Sequence, residues 1–266
     1  MGALIQNTRQ GQDRVKVEKE KIRSHFAGAA KTYDQYAVVQ RKTARRLLTL
    51  LTEIIENTPE FILEVGCCTG YLTRNLVAVF PGVKIFDVND LVAEFSETVS
   101  SLGSSGNMRF LPGDIEKIEL PEKYDLICSS STFHWLHDLQ ALFHKLRIHM
   151  APGGMVAFSM YGPENLREIR KITGKGLHYI SLDRVREMLE GSFEVMSAEE
   201  SVESVIFPDP VTVQDHLRKT GVNALAQQGW NRERQKIFSQ TYQQCFSTGK
   251  GVTLTYHSMY FIARVP

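Results

Sequence analysis

Apolar and polar positions along this chain follow two periods, and the switches between them mark its elements. Phe61-Ile62-Leu63-Glu64-Val65 is a short apolar run broken by one acid, the length and character of a buried strand. A small-residue turn from Gly66 to Gly70 cuts it off. Tyr71 to Phe80 then carries Leu72, Leu76, Val79 and Phe80 at helical spacing. The alternation continues. Residues 83–88 predict a strand after the Pro81-Gly82 turn, 91–102 a helix, 108–112 a short strand and 124–129 another strand. A helix is expected over 139–150, and a strand over 155–160 after the break at Pro152-Gly153-Gly154. Strands separated by helices of this length imply right-handed crossovers and a mostly parallel sheet covered by helices on both faces, an α/β fold.

Outside this stretch the pattern is looser. Residues 1–20 are polar and charged without a sustained period and predict a mobile tail, with order beginning near Lys21. Ile22, Phe26, Ala29 and Ala30 recur at helical intervals, and a basic helix is expected from Arg41 to Glu56. Beyond residue 160, helices are expected near 163–175, 182–190, 211–220 and 231–246, and strands near 193–206 and 253–264. Open sheets bind ligands beyond the carboxyl ends of their strands. The insertions at about 162–192 and 207–250 therefore read as lids on one domain spanning 21–266.

Composition narrows the function classes. The 266 residues carry 31 basic and 30 acidic side chains, a net charge of +1, which offers no bulk attraction for nucleic acid or an anionic membrane. No apolar stretch approaches the roughly 20 residues that span a bilayer, and the N-terminus lacks an apolar signal core. Cys67, Cys68, Cys128 and Cys245 form no C-x-x-C pair, and no Cys/His spacing matches a zinc site. The expectation is a reduced, cytoplasmic protein without a metal.

The candidate chemistry gathers at the predicted strand ends. A glycine-flanked loop ahead of a helix brings bare backbone close to a ligand. Glu64 beside it argues against phosphate and suits a cationic or hydroxyl-bearing ligand. Asp87, 17 residues after Gly70, is expected to end the second strand and accept from ribose hydroxyls. Asp114 is placed to accept from an adenine amino group, with Ile115 against the ring. Ser129 and Ser130 end the fourth strand beside Phe133-His134-Trp135. A dinucleotide site wants G-x-G-x-x-G at the first turn, and only Gly66 and Gly70 are present, wrongly spaced for it.

The pattern E-x-G-x-x-x-G over Glu64–Gly70 resembles the first motif of class I S-adenosylmethionine methyltransferases, with Cys68 where a middle glycine is usual. A longer set is narrower: Phe26-x-x-Ala29-Ala30-x-x-Tyr33-Asp34-x-Tyr36-Ala37-x-x-Gln40, Gly113-Asp114-Ile115-Glu116, Phe133-His134-Trp135-Leu136, Gly162-Pro163-x-Asn165-Leu166-x-Glu168-Ile169-Arg170, Lys219-Thr220-Gly221-x-Asn223-Ala224 and Leu254-Thr255-Tyr256-His257. With these stretches the chain resembles the malonyl-[acyl-carrier protein] O-methyltransferases of biotin biosynthesis. The resemblance implies a Rossmann-like, mostly parallel seven-stranded sheet with a helical lid before the last strand, and S-adenosylmethionine as cofactor. It implies methylation of the free carboxylate of a malonyl thioester, carried by acyl carrier protein or coenzyme A. Cofactor contacts are implied at Tyr33, Gln40, Glu64, Gly66, Cys67, Gly70, Asp87, Asp114, Ile115, Ser129 and Ser130. Substrate contacts are implied at Tyr33, His134, Trp135, Arg170, Tyr256 and His257. Because Tyr256 and His257 are neighbours on a strand, at most one should touch substrate.

A carboxylate is already ionised at neutral pH, so neither a general base nor a catalytic nucleophile is expected. The basic run Arg41-Lys42-x-x-Arg45-Arg46 is a candidate docking face for an acidic carrier. Cys68 is expected to keep an ordinary backbone conformation and weaken cofactor binding modestly. A methyltransferase of another small carboxylic acid, or a cofactor-binding inactive relative, remains the alternative.

Overall fold

The computed structural model describes residues 13–14, 17–102, 107–222 and 231–266. One sheet runs through the molecule in the order β4-β3-β2-β5-β6-β10-β8. These strands are β2 (Phe61–Val65), β3 (Ile85–Asp90), β4 (Met108–Pro112), β5 (Tyr124–Ser130), β6 (Met150–Tyr161), β8 (Glu194–Phe207) and β10 (Gly251–Arg264). The seven-strand path matches the expected Rossmann-like architecture, and a two-residue β9 (Ser247–Thr248) adds to the β10 edge. The pairs among β2 to β6 are parallel, whereas β10 runs antiparallel to both β6 and β8. The chain steps outward from β2 to β4 and then returns to β5 on the other side of β2. That reversal is the switch point where open sheets form a crevice.

Alternation along the central strands feeds two cores. Ile62 enters a cluster with Leu47, Leu51 and Leu76 from α2 (Val38–Ile54) and α3 (Tyr71–Val79). Leu63 enters the opposite one with Phe143 and Val185 from α5 (Leu139–Ile148) and α7 (Leu182–Glu190). A strand buried on both faces reads as continuous apolar sequence, which is why Phe61–Val65 was legible. A third cluster joins α8 (Pro210–Lys219) and α9 (Arg232–Phe246) to β10 through Val213, Phe238, Tyr242, Leu254 and Tyr256, and reaches Ile22 of α1 (Lys19–Tyr36). The connection after β6 holds α6 (Arg167–Thr173) and the short β7 (Lys175–Gly176). Among the described residues no helix is long and apolar enough to cross a membrane.

Several boundaries depart from the sequence expectation: β6 starts at Met150 and runs through Pro152-Gly153-Gly154, where a break was expected, and α6 covers only Arg167–Thr173 of the helix expected near 163–175. The tail expected over 1–20 ends sooner: Asp13–Arg14 form β1, paired with Lys175–Gly176, and α1 begins at Lys19. Residues 1–12 and 15–16 lie outside the described residues. Lys19 is held by Asp114 at 3.2 Å and Glu116 at 2.7 Å, partners some hundred positions away that no local period reveals. β3 runs two residues past Val88, because the Asn89 amide donates to Leu111 O and Gly113 O and makes a polar residue at home inside the sheet. The helix expected over 91–102 is a 3-10 turn, Ala93–Phe95, followed by α4 (Ser96–Ser100).

Candidate functional site

The crevice at the switch point opens into a cavity of about 990 Å³, counting its mouth. Its floor is the carboxyl ends of four strands: Glu64 to Thr69 after β2, Asn89 to Leu91 at β3, Gly113 to Ile115 after β4, and Ser130 to Thr132 after β5. α1 roofs it with Ile22, Phe26 and Tyr33, and α2 adds Gln40, Arg41 and Ala44. Trp135 closes one side, its ring edge-on to Phe26 at 6.0 Å.

The loop needs glycine at residue 66 for two reasons. Its φ is +77°, and a Cβ there would lie 2.1 Å from Thr132 Oγ1. Its amide and that of Cys67 donate to Asn89 O at 2.8 and 3.2 Å, tying the loop to β3. Cys68 departs from expectation: its φ is +49°, in the left-handed region, not an ordinary conformation. Such a residue costs of order 1–3 kcal/mol. The Asp90 carboxylate accepts the Cys68 amide at 2.8 Å and holds the bend in place.

Several buried acceptors in this cavity have no hydrogen-bond partner among the described residues: Gln40 Oε1, both oxygens of Glu64, and Asp114 Oδ2. Glu64 is fully buried, and desolvation pushes its carboxyl up to about 8. Asp90 is pushed up to about 6 by burial, against the pull of the Val92 and Cys68 amides. Carboxylates in this condition favour a ligand bearing positive charge and donors. S-adenosylmethionine carries a sulfonium, an ammonium, ribose hydroxyls and an adenine amino group. The residues fit it: Glu64 and Gln40 offer acceptors toward the loop, Asp90 at the β3 end, and Asp114 with the apolar Ile115 at the β4 end. Among the described residues no group of three or more His, Cys, Asp or Glu is placed to hold a metal ion.

Known proteins resemble this chain. A family model for a methyltransferase domain matches residues 63–158. The malonyl-[acyl-carrier protein] O-methyltransferase of Calditerrivibrio nitroreducens is 34% identical over 90% of this chain and 94% of that protein. The chain belongs to the malonyl-[acyl-carrier protein] O-methyltransferase family. The member from Bacteroides helcogenes is 33% identical over 93% of this chain and 99% of its own. The Bacteroides fragilis member, 36% identical over 91% of this chain, is longer, and the match spans 50% of it. Among solved structures, an S-adenosylmethionine-dependent methyltransferase from Mesorhizobium loti superposes with a TM-score of 0.52 at 16% identity, covering 81% of this chain and 96% of that one. The N-methyltransferase NodS of Bradyrhizobium japonicum WM9, in complex with S-adenosyl-L-homocysteine, gives 0.52 at 15% identity over 88% and 98%. These two similarities establish the fold.

In this member of the family the cavity brings together Tyr33, Gln40, Glu64, Gly66, Cys67, Asp114, Ile115, Ser130 and Trp135. Other expected residues sit elsewhere, each for a visible reason. Asp87, within β3, is fully buried; it accepts from Arg109 Nε and Nη2 at 2.7 Å and from the Tyr124 hydroxyl at 2.6 Å, and does not line the cavity. Asp90 takes the strand-end place instead. It follows Gly70 by 20 residues, close to the spacing at which dinucleotide folds place an acid on the ribose. Gly70 starts α3 behind the loop with φ +77°. Ser129 donates to Val65 O at 2.8 Å and laces β5 to β2.

His134 packs among Trp135, Tyr161 and Tyr179 beside the cavity wall, and burial pushes its imidazole down to about 3, so it is neutral. Arg170 donates to Pro163 O and lies over the Tyr179 ring at 5.4 Å. Tyr256 bonds His216 of α8 at 2.6 Å, and His257 accepts from Glu164 N and meets Glu200 at 3.0 Å. As the alternation requires, the last two point to opposite faces, but neither lines the cavity. Asn223 and Ala224 lie outside the described residues.

Proposed function

We propose that this chain transfers a methyl group from S-adenosylmethionine to the free carboxylate of a malonyl thioester. The observation that carries the reading is the set of buried, unpartnered acceptors at the strand ends, beneath an aromatic roof, in a chain of this family. When bound, the cofactor supplies a methyl group on a sulfonium leaving group. Everything else falls to the protein. Glu64 matches positive charge beside the loop, Asp90 accepts from ribose hydroxyls, and Asp114 with Ile115 receives the adenine. Phe26, Tyr33 and Trp135 exclude water from the space above. Burial holds the Tyr33 hydroxyl well above the usual phenol range, so at neutral pH it stays a proton donor that can orient a carboxylate oxygen.

The substrate carboxylate arrives ionised, so no side chain has to take a proton. Catalysis then reduces to alignment and desolvation. Labelled S-adenosylmethionine offered with malonyl and acetyl thioesters tests this directly. Label should appear in the malonyl product and not in the acetyl one. Equal transfer to both, or transfer to neither, overturns the reading.

A further inference from the structure

The basic run that opens α2 is split by the fold into two pairs. Lys42 and Arg46, one turn apart, face the edge strand β8: Lys42 pairs with Glu203, and Arg46 with Glu199 at 2.7 Å. These cations are already matched by acids of the same chain. Arg41 and Arg45, also one turn apart, lie on the cavity side of the exposed arc. Arg41 lines the cavity mouth and donates to Asp34 O. Arg45 is exposed and has no ion-pair partner among the described residues. Val38 stands in the same row (positions 38, 41 and 45 share one face) and is 56% exposed. α3 packs alongside α2 and brings Arg74 to the same rim, where it donates to Thr69 O at 3.1 Å. The rim's acid, Asp34, is matched by Arg74 at 3.8 Å and by the Thr69 hydroxyl.

We propose that this rim, made of Val38, Arg41, Arg45 and Arg74, is the docking surface for an acidic carrier protein that delivers its thioester arm into the cavity. The proposal rests on the malonyl-thioester reading above and adds the carrier's place on the molecule. Surplus positive charge at a cavity mouth steers an acidic partner and raises its association rate. An exposed apolar side chain amid the cations supplies contact that salt does not screen. The β8-facing half of the four-cation run offers less surplus charge, because Lys42 and Arg46 are already matched by Glu203 and Glu199.

The test compares Arg45→Glu and Val38→Asp with the parent chain, using malonyl-carrier protein and malonyl-coenzyme A as alternative acceptors, with Lys42→Ala as a control facing β8. Arg45→Glu should lower kcat/KM for the carrier-bound substrate about tenfold, mostly through KM, and the difference should shrink in high salt. Turnover of malonyl-coenzyme A should stay within about twofold, and Lys42→Ala should change neither. Equal losses on both acceptors would mean that the rim reads the small thioester itself, and unchanged carrier kinetics would mean that docking lies elsewhere; either overturns the proposal. Calorimetric binding of the carrier protein separates this from the catalytic reading. A parent chain that binds carrier in an Arg45-dependent way but methylates no malonyl thioester would keep the docking surface and discard the reaction. A parent chain that methylates malonyl-coenzyme A yet binds no carrier would do the reverse.

Discussion

Around the cavity, Gln40, Glu64 and Asp114 keep buried oxygens without partners among the described residues, whereas the groups that join β10 to the helices packed on it are mostly paired, Arg170 Nε excepted. Glu168 accepts from Thr255 twice, at 2.6 and 2.9 Å. Asn165 donates to the Tyr179 hydroxyl, His216 meets Tyr256, and the Tyr242 hydroxyl donates to Thr253 O. An unpaired buried acceptor costs about 1–3 kcal/mol, and a ligand that supplies the donor recovers it. The cavity half thus stands to gain stability from an occupant, and the half around β10 is held to its helices by its own side chains. Both halves show motifs of the same family in the sequence. Only the accounting of partners separates binding residues from clamping ones.

The largest effect should come from the clamp. Glu168→Ala leaves the Thr255 amide and hydroxyl without their acceptor in a dry site, and should cost about 3 kcal/mol in chemical denaturation. Cofactor affinity, measured by calorimetry on the folded fraction, should barely move. An equal loss of binding would erase the distinction between the two halves.

The acids of β3 give the next test. Asp90→Ala should weaken S-adenosylmethionine binding by tenfold or more, about 1.5–3 kcal/mol, by removing an acceptor and releasing the Cys68 bend. Asp87→Ala should instead lower stability through Arg109 and Tyr124 and leave the dissociation constant unchanged. The reverse pattern would return the ribose site to Asp87.

Glu64 adds a pH signature. Its carboxyl is raised from 4.5 to about 8 in the folded protein, so its contribution to stability is fully present below about 4.5 and is lost as pH rises toward 8. A cationic ligand favours the ionised form, so binding should release a proton and tighten by about tenfold between pH 6 and 8. Calorimetry in buffers of different ionisation enthalpy measures that proton, and Glu64→Gln should abolish both its release and the slope.

The smallest effect is expected at Cys68. Glycine relieves the strain of φ +49°, and Cys68→Gly should tighten cofactor binding several-fold. A loss of affinity would show that the thiol contributes to the site, and a jump from no turnover to normal turnover would identify this chain as an inactive relative.

Much of this was legible because local pattern and fold agree. α7 falls on 182–190 as the periodicity predicts, and the β2 loop sits where its glycines require. Failures trace to partners distant in sequence. The apolar run at β3 ends at Val88, yet Leu111 O and Gly113 O satisfy Asn89 and carry the strand on to Asp90, so that Asp90 and not Asp87 lines the cavity. Arg170, Tyr256 and His257 belong to family motifs, but whether a polar residue faces a ligand or a neighbour depends on contacts that no motif encodes.

α1 lies across the cavity and is fastened at both ends. Lys19 grips Asp114 and Glu116 beside the β4 turn, while Asp34 holds Thr69 and Arg74 at the start of α3. Each fastening alone is worth on the order of 1 kcal/mol. The roof of the cavity is thereby tied to two of the turns that make its floor, so a change at either tie also alters the shape of the space between them.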